Sequence, residues 1–245
     1  MTNYSLLLYY KSNKHKLMKK TALFVFLLLS LMAHSQDLTN ELLSINKHYE
    51  NLKNFEAKIS YKTYADFTSD KVVETKTMLV KIQANNLYNK IDGTEMIKTS
   101  DFVLLKSDED KTITLFDPSS FANPLPSYGL DSTINGFLKI CKSQKIVKDG
   151  KTTNRIKLDC PSPQYHNVEI VYDKNDYSLQ KIVIFYDIND QKTRFEIEYI
   201  TQKLNSTFEK DVFTFEKYLK KVKNNYELES AYKDYAFTCQ ICNEK

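Results

Sequence analysis

Cys239-Gln-Ile-Cys242 is the most closely spaced pair of reactive side chains in the 245-residue chain. A C-x-x-C pair works as a redox centre when it sits between a strand and a helix of a βαβ unit. Here it stands three residues from the last one, which favours a local disulfide. Cys141 and Cys160 complete a set of four, for which three full pairings are open. Zinc would need two further ligands, and the sequence offers no partner pair. Beyond residue 35 the histidines are His48, beside a helical apolar stripe, and His166, near Pro161 and Pro163 in an expected turn. No serine stands in a G-x-S-x-G elbow and no H-E-x-x-H occurs. Four glycines in the whole chain argue against phosphate-cradling loops. The acidic residues fall singly at alternating strand positions, the pattern of a wetted face. The expectation is a binding protein with no catalytic residue, metal or cofactor; an envelope hydrolase is the weaker alternative.

The first residues speak to compartment. Lys19-Lys20 precede an apolar run from Thr21 to Met32 and the small-x-small triplet Ala33-His34-Ser35. This is the layout of a cleavable secretory signal over residues 1–35, with Met18 as the expected true start. The apolar run is too short for a bilayer span of about 20 residues. The first 35 residues carry five lysines and no acid, so removing them takes the formal net charge from +4 to −1. A nearly balanced mature chain gives no electrostatic case for nucleic acid.

About 210 residues then remain, enough for one domain with a substantial core. Leu38, Leu42, Ile45, Tyr49 and Leu52 recur on a helical period and predict an N-terminal helix. From Phe55 the period becomes two, and the composition, rich in Tyr, Phe, Val and Ile, favours strands. Strands are expected over 55–67, 72–82, 87–91, 95–99, 102–106 and 112–116. A proline-bearing loop at 117–129 follows, then a helix with Ile134, Leu138 and Cys141 on one face. Further strands are expected at 145–148, 154–160, around 168–172, 179–186 and 193–201, with one more around 226–237. The fold class is therefore α+β: an antiparallel sheet with one covered side and a few helices.

Three stretches resemble the LolA family of periplasmic carriers for outer-membrane lipoproteins. The first is an export signal and helix ending in Tyr49-Glu50-Asn51-Leu52-Lys53-Asn54-Phe55 before a long strand. The second runs from Met78-Leu79-Val80-Lys81-Ile82 through Leu87-Tyr88-Asn89-Lys90-Ile91 to Thr112–Phe116 and Asp117-Pro118. The third is Leu204-Asn205 followed by Asp211-Val212-Phe213-Thr214-Phe215. The chain departs from the family where an Arg-Pro and a Phe-Arg-Trp-like motif would stand, since it reads Gln83-Ala84-Asn85-Asn86-Leu87-Tyr88-Asn89 there. The Asp-Gly before the family's Trp-x-Tyr-Asp-Pro strand is replaced by Asp110-Lys111.

The resemblance implies an incomplete β-barrel over residues 36–216 whose concave face is closed by helices, with 217–245 as a C-terminal extension. It implies a periplasmic carrier of lipoprotein acyl chains or another lipid. Its implied partners are an inner-membrane release complex and an outer-membrane acceptor. A lipid- or protein-sensing scaffold is the alternative on the same fold. From strand alternation, the residues expected to line the cavity are Phe55, Ile59, Tyr61, Val80, Leu105, Leu115, Ile134, Leu138, Ile184 and Ile197.

Overall fold

The computed structural model describes residues 38–242 except 39, 51, 121–140, 142, 149, 161–164, 189–190 and 224. The expected loop beyond Ser120 and the expected helix holding Ile134 and Leu138 lie outside the described residues. The chain divides into two units, 1–44 and 45–245. In the first, residues 38 and 40–44 are helical, with Leu38 and Leu42 buried. Among the described residues no helix is long and apolar enough to cross a membrane.

The second unit opens with helical residues 45–50 and continues as strands. These are β1 (Asn54–Tyr64), β2 (Val72–Gln83), β3 (Asn86–Ile91), β4 (Thr94–Lys98), β5 (Val103–Ser107) and β6 (Thr112–Phe116). Then come β7 (Ser143–Lys148), β8 (Thr153–Asp159), β9 (Tyr165–Asp173), β10 (Leu179–Ile188) and β11 (Gln191–Leu204). Three short strands end the unit, β12 (Leu219–Val222), β13 (Asn225–Leu228) and β14 (Ala236–Cys239).

Twelve of these form one open sheet in the order β14-β6-β5-β4-β3-β2-β1-β11-β10-β9-β8-β7. Two antiparallel meanders meet where β1 pairs with β11. Their turns follow local chemistry. The β3–β4 connection is two residues, Asp92 and Gly93, both at positive φ (45° and 80°), the backbone that suits a tight hairpin. In the β1–β2 connection, the Asp66 carboxylate accepts from the Thr68 and Ser69 backbone N–H groups. His166 belongs to β9, not to a turn, and its ring stacks on Phe67 at 5.7 Å.

Opposed residues on neighbouring strands share a face, so the register sorts side chains into two sets. One face is apolar. The other carries alternating charges over β1 and β8 to β11, with Lys157–Glu169 at 2.8 Å, Lys181–Glu196 at 3.2 Å and Lys62–Glu198 at 2.9 Å. The half-exposed Lys62–Glu198 pair stabilises by only about 0–1 kcal/mol.

The charged face is covered elsewhere, which corrects the expectation of one wetted side. Residues from Phe215 onward pack on β4 to β6, where Ile97, Phe102, Leu104, Ile113 and Leu115 form a core with Tyr218 and Leu219. The single strand expected near 226–237 is instead the β12–β13 hairpin, a 3-10 turn at Ser230–Tyr232, and β14. β14 pairs in parallel with β6, so the C-terminal residues extend the main sheet. Sequence periodicity misses this because four-residue strands are too short to show a period of two. Cys239, the last residue of β14, forms the expected local bridge with Cys242, and Cys141 is joined to Cys160.

Glu95 organises this covered region. It reads as a wet alternating position, yet is 3 % exposed. Its Oε2 accepts from the hydroxyls of Tyr218 (2.6 Å) and Tyr88 (3.0 Å). Its Oε1 accepts from Lys90 Nζ (3.1 Å) and buried Lys106 Nζ (3.4 Å). Lys106 is also 2.7 Å from Asp108, which accepts from the Tyr235 hydroxyl at 2.5 Å. Burial pushes the Glu95 carboxyl up, but the bonds from Tyr218, Lys90 and Tyr88 and the charge of Lys217 outweigh it. The carboxyl is held at about 2, below its ordinary 4.5.

A second polar junction joins the helix to the sheet. The Leu179 N–H donates to the Tyr49 hydroxyl at 2.8 Å, and that hydroxyl donates to Gln202 Oε1 at 2.6 Å. Gln202 Nε2 closes the ring by donating to Leu179 O at 2.6 Å. Burial raises the Tyr49 phenol far above its ordinary value, so the hydroxyl keeps its proton.

Each junction can be tested by removing one group. Because the folded state depresses the Glu95 pKa, its contribution is complete above about 4.5 and is lost as pH falls towards 2. Glu95→Gln should lower unfolding free energy at pH 7 by about 2–3 kcal/mol. In urea titrations from pH 6 to 2, wild type and variant should therefore converge as the pH drops; a constant gap would refute the assignment. Tyr49→Phe should cost about 1–3 kcal/mol and speed exchange of the Leu179 amide, since it leaves that N–H and Gln202 Oε1 without their partner.

Candidate functional site

The apolar face is laid out by strand register. Tyr61 opposes Ile197, which opposes Ile182, then Ile170, Ile156 and Ile146. This row crosses six neighbouring strands, from β1 to β7, without a charged side chain. At a strand spacing of ~4.8 Å its five steps cover roughly 24 Å. A second row runs beside it through Phe195, Ile184, Val168 and Leu158. On the other side of β1, Ile59 opposes Met78 and Met78 opposes Ile91, while Phe55, Ile82 and Leu87 align further along.

Burial varies along this face. Ile156, Ile170 and Val168 are fully buried, and Ile182 and Ile184 nearly so. Tyr61, Ile91, Met96, Leu105, Phe195, Ile197 and Tyr199 are half-buried and keep surface open to an added group. Ala57, Ile59, Met78, Val80 and Leu87 form a core against which Phe55, Tyr61, Ile82, Ile91, Met96, Ile197 and Tyr199 pack. The Tyr61 ring stacks on Phe195 at 5.7 Å and its hydroxyl donates to Met78 Sδ at 3.8 Å. Burial raises the Tyr199 phenol well above its ordinary range, with the nearby Tyr49 and Tyr61 adding to the effect.

A bulge in β11 decides what borders the face. The β1–β11 register slips between Lys58 and Ile59, leaving Ile200 unpaired and exposed. Beyond the slip Gln202 opposes Ala57, on the apolar face, where it meets Tyr49. Tyr49 also packs edge-on against Phe55, with ring centroids 5.9 Å apart. The polar ring of Tyr49, Gln202 and Leu179 thus stands at one margin of the apolar surface.

Of the ten residues expected to line a cavity, Phe55, Ile59, Tyr61, Val80, Leu105, Ile184 and Ile197 are placed on this face by the register. Leu115 is not. It opposes Leu104 and lies in the core beneath Tyr218 and Leu219, on the opposite face. Leu105 and Leu115 cannot both face the same way: β5 and β6 pair so that Leu105 meets Thr114. Ile134 and Leu138 lie outside the described residues. The Tyr49–Gln202 junction escapes a reading of the sequence because its partners are 153 residues apart and its geometry depends on the bulge.

Among the described residues no group of three or more His, Cys, Asp or Glu is placed to hold a metal ion. His48 packs edge-on to Tyr49 at 4.7 Å, and His166 stacks on Phe67. What the arrangement offers is apolar area with a polar margin, suited to non-directional contact.

No family model matches the chain, and no curated protein matches it in sequence. Among solved structures it is similar to an uncharacterized conserved protein from Thermus thermophilus, at 10% identity and TM-score 0.46, over 83% of this chain and 99% of that one. It is similar to the Mycobacterium tuberculosis lipoprotein LppX at 13% identity and TM-score 0.44, over 71% and 98%. A LolA superfamily protein from Nitrosomonas europaea aligns at 9% identity and TM-score 0.34, over 72% and 96%. The solved structures it resembles in chain path thus include a LolA superfamily protein and a lipoprotein.

Proposed function

We propose that the protein is an exported, non-catalytic carrier that shelters the acyl chains of a lipoprotein, or another lipid, on the apolar sheet face during transfer to the outer membrane. The observation that carries this reading is the unbroken row from Tyr61 through five isoleucines to Ile146. Its length of roughly 24 Å exceeds the depth of one leaflet, about half of a ~30 Å hydrocarbon core. Each methylene buried there is worth about 0.8 kcal/mol. The ligand surface comprises Phe55, Ile59, Tyr61, Val80, Leu105, Ile184 and Ile197. Leu115, which lies in the core on the opposite face, is no part of it. The signal-like first 35 residues and two disulfides suit a periplasmic site of action. An inner-membrane release complex and an outer-membrane acceptor are the partners such transfer needs.

Protein purified from its native envelope should carry stoichiometric lipid or lipoprotein in native mass spectrometry. Ile197→Asp should weaken binding of a fluorescent acyl probe at least tenfold, with far-UV circular dichroism unchanged. Val73→Asp, at a 64 % exposed position on β2, should leave binding as it was. Lipid-free native protein, or equal probe binding by Ile197→Asp and wild type, would defeat the proposal.

A further inference from the structure

A separate cavity of about 170 Å³ lies on the charged face, between β2–β4 and the residues that follow β11. Its apolar lining is Ile97 and Val212, with the rings of Tyr88 and Tyr218 beside them. Around that lining stand two cations, Lys81 and Lys217, and two carboxylates, Glu209 and Asp211. Neither cation is closely neutralised there. Lys81 Nζ is 3.8 Å from Glu56 and sits 5.9 and 5.7 Å from the ring centroids of Tyr88 and Phe208. Lys217 Nζ is 3.6 Å from Glu95, whose oxygens already accept from four other donors. The carboxylates of Glu209 and Asp211 are exposed, and no cation stands within 4.0 Å of either among the described residues.

We infer that this cavity binds a small zwitterion, one bearing a primary ammonium and an anionic group. The anionic end is drawn by Lys81 and Lys217, and the ammonium by Glu209 and Asp211. A purely anionic ligand would meet the repulsion of the two outer carboxylates, and a purely cationic one that of the lysines. At ~30 Å³ per water the volume holds roughly six waters, the space of six to eight non-hydrogen atoms. A free α-amino acid and the phosphoethanolamine group of a lipid both satisfy these limits. The site is on the opposite face from the acyl surface and stands or falls independently of it.

Titration calorimetry of the full mature, oxidised protein tests this with four probes: alanine, O-phosphoethanolamine, ethanolamine and inorganic phosphate. At least one of the two zwitterions should bind at millimolar concentration or tighter, and at least tenfold better than ethanolamine or phosphate. Binding by alanine marks a free amino acid as the source; binding by O-phosphoethanolamine alone marks a lipid headgroup. Asp211→Asn, at an exposed position that should not disturb folding, and Lys81→Gln should each weaken the zwitterion at least tenfold. No binding of either zwitterion below 10 mM, equal binding of the singly charged probes, or unaltered affinity in Asp211→Asn would overturn the inference.

Discussion

The pairing of β1 with β11 is the constraint on which the rest of the sheet depends. It joins two meanders, one built outward from β1 to β6 and the other from β11 back to β7. Side chains alternate with a period of two, so a slip of one residue here would reverse the faces of one whole arm relative to the other. The observed slip at Ile200 is local: it falls between Lys58 and Ile59, and on both sides of it the apolar residues of β1 still meet apolar or anchoring residues of β11. Ile59 opposes Tyr199 and Tyr61 opposes Ile197, while Ala57 opposes Gln202. The bulge thus keeps the apolar face continuous and turns one amide towards the hydroxyl of Tyr49.

The two arms solve the problem of their second face differently. Over β8 to β11 that face carries lysines, two arginines and glutamates in ion pairs, with the lysine ends left in water. Over β4 to β6 the chain covers it with its own C-terminal residues, which brings Glu95 and Lys106 out of water. A buried charge is tolerated only when paired and hydrogen-bonded. Glu95 meets that condition through two tyrosine hydroxyls and two ammonium groups, and Tyr218 supplies one of the hydroxyls from the covering segment itself. The network therefore gives the cover a specific seat, where the surrounding aromatic contacts alone would allow several. β14 adds the same kind of directionality through backbone pairing with β6.

Much of this is legible in the sequence, for a physical reason: strong alternation over five or more residues leaves few alternatives. It places Thr112–Phe116 to the residue and most other strands to within one or two, with Asp108-Glu109-Asp110 as a hairpin turn. What alternation cannot supply is the absolute side on which each strand's apolar set falls, which is why it points Leu105 and Leu115 both inward although pairing sends them apart. Nor can it distinguish a solvated carboxylate from one that a distant segment will bury. Glu95 looks like half-exposed Glu198 along the chain, and contact with Tyr218, 123 residues away, helps give it a different environment. The C-terminal strands merge into one in such a reading because each is only four residues long.

Under the proposed function, the two faces also differ in how each would hold what binds it. On the covered part of the charged face the contacts are directional, and a hydroxyl or ammonium that leaves Glu95 strands a buried carboxylate. That favours a permanent cover. On the apolar face, Tyr61, Ile197 and their row offer area without direction, so a hydrocarbon chain sliding along it loses little at any single step. Removing such a chain costs in proportion to the area exposed, and a receiving surface of similar polarity offsets that cost almost completely. A fold that fixes its architecture with polar contacts on one face can therefore leave the other to bind by area alone. Under the proposed carrier function, loading and release on the apolar face would not disturb the interactions that hold the sheet together.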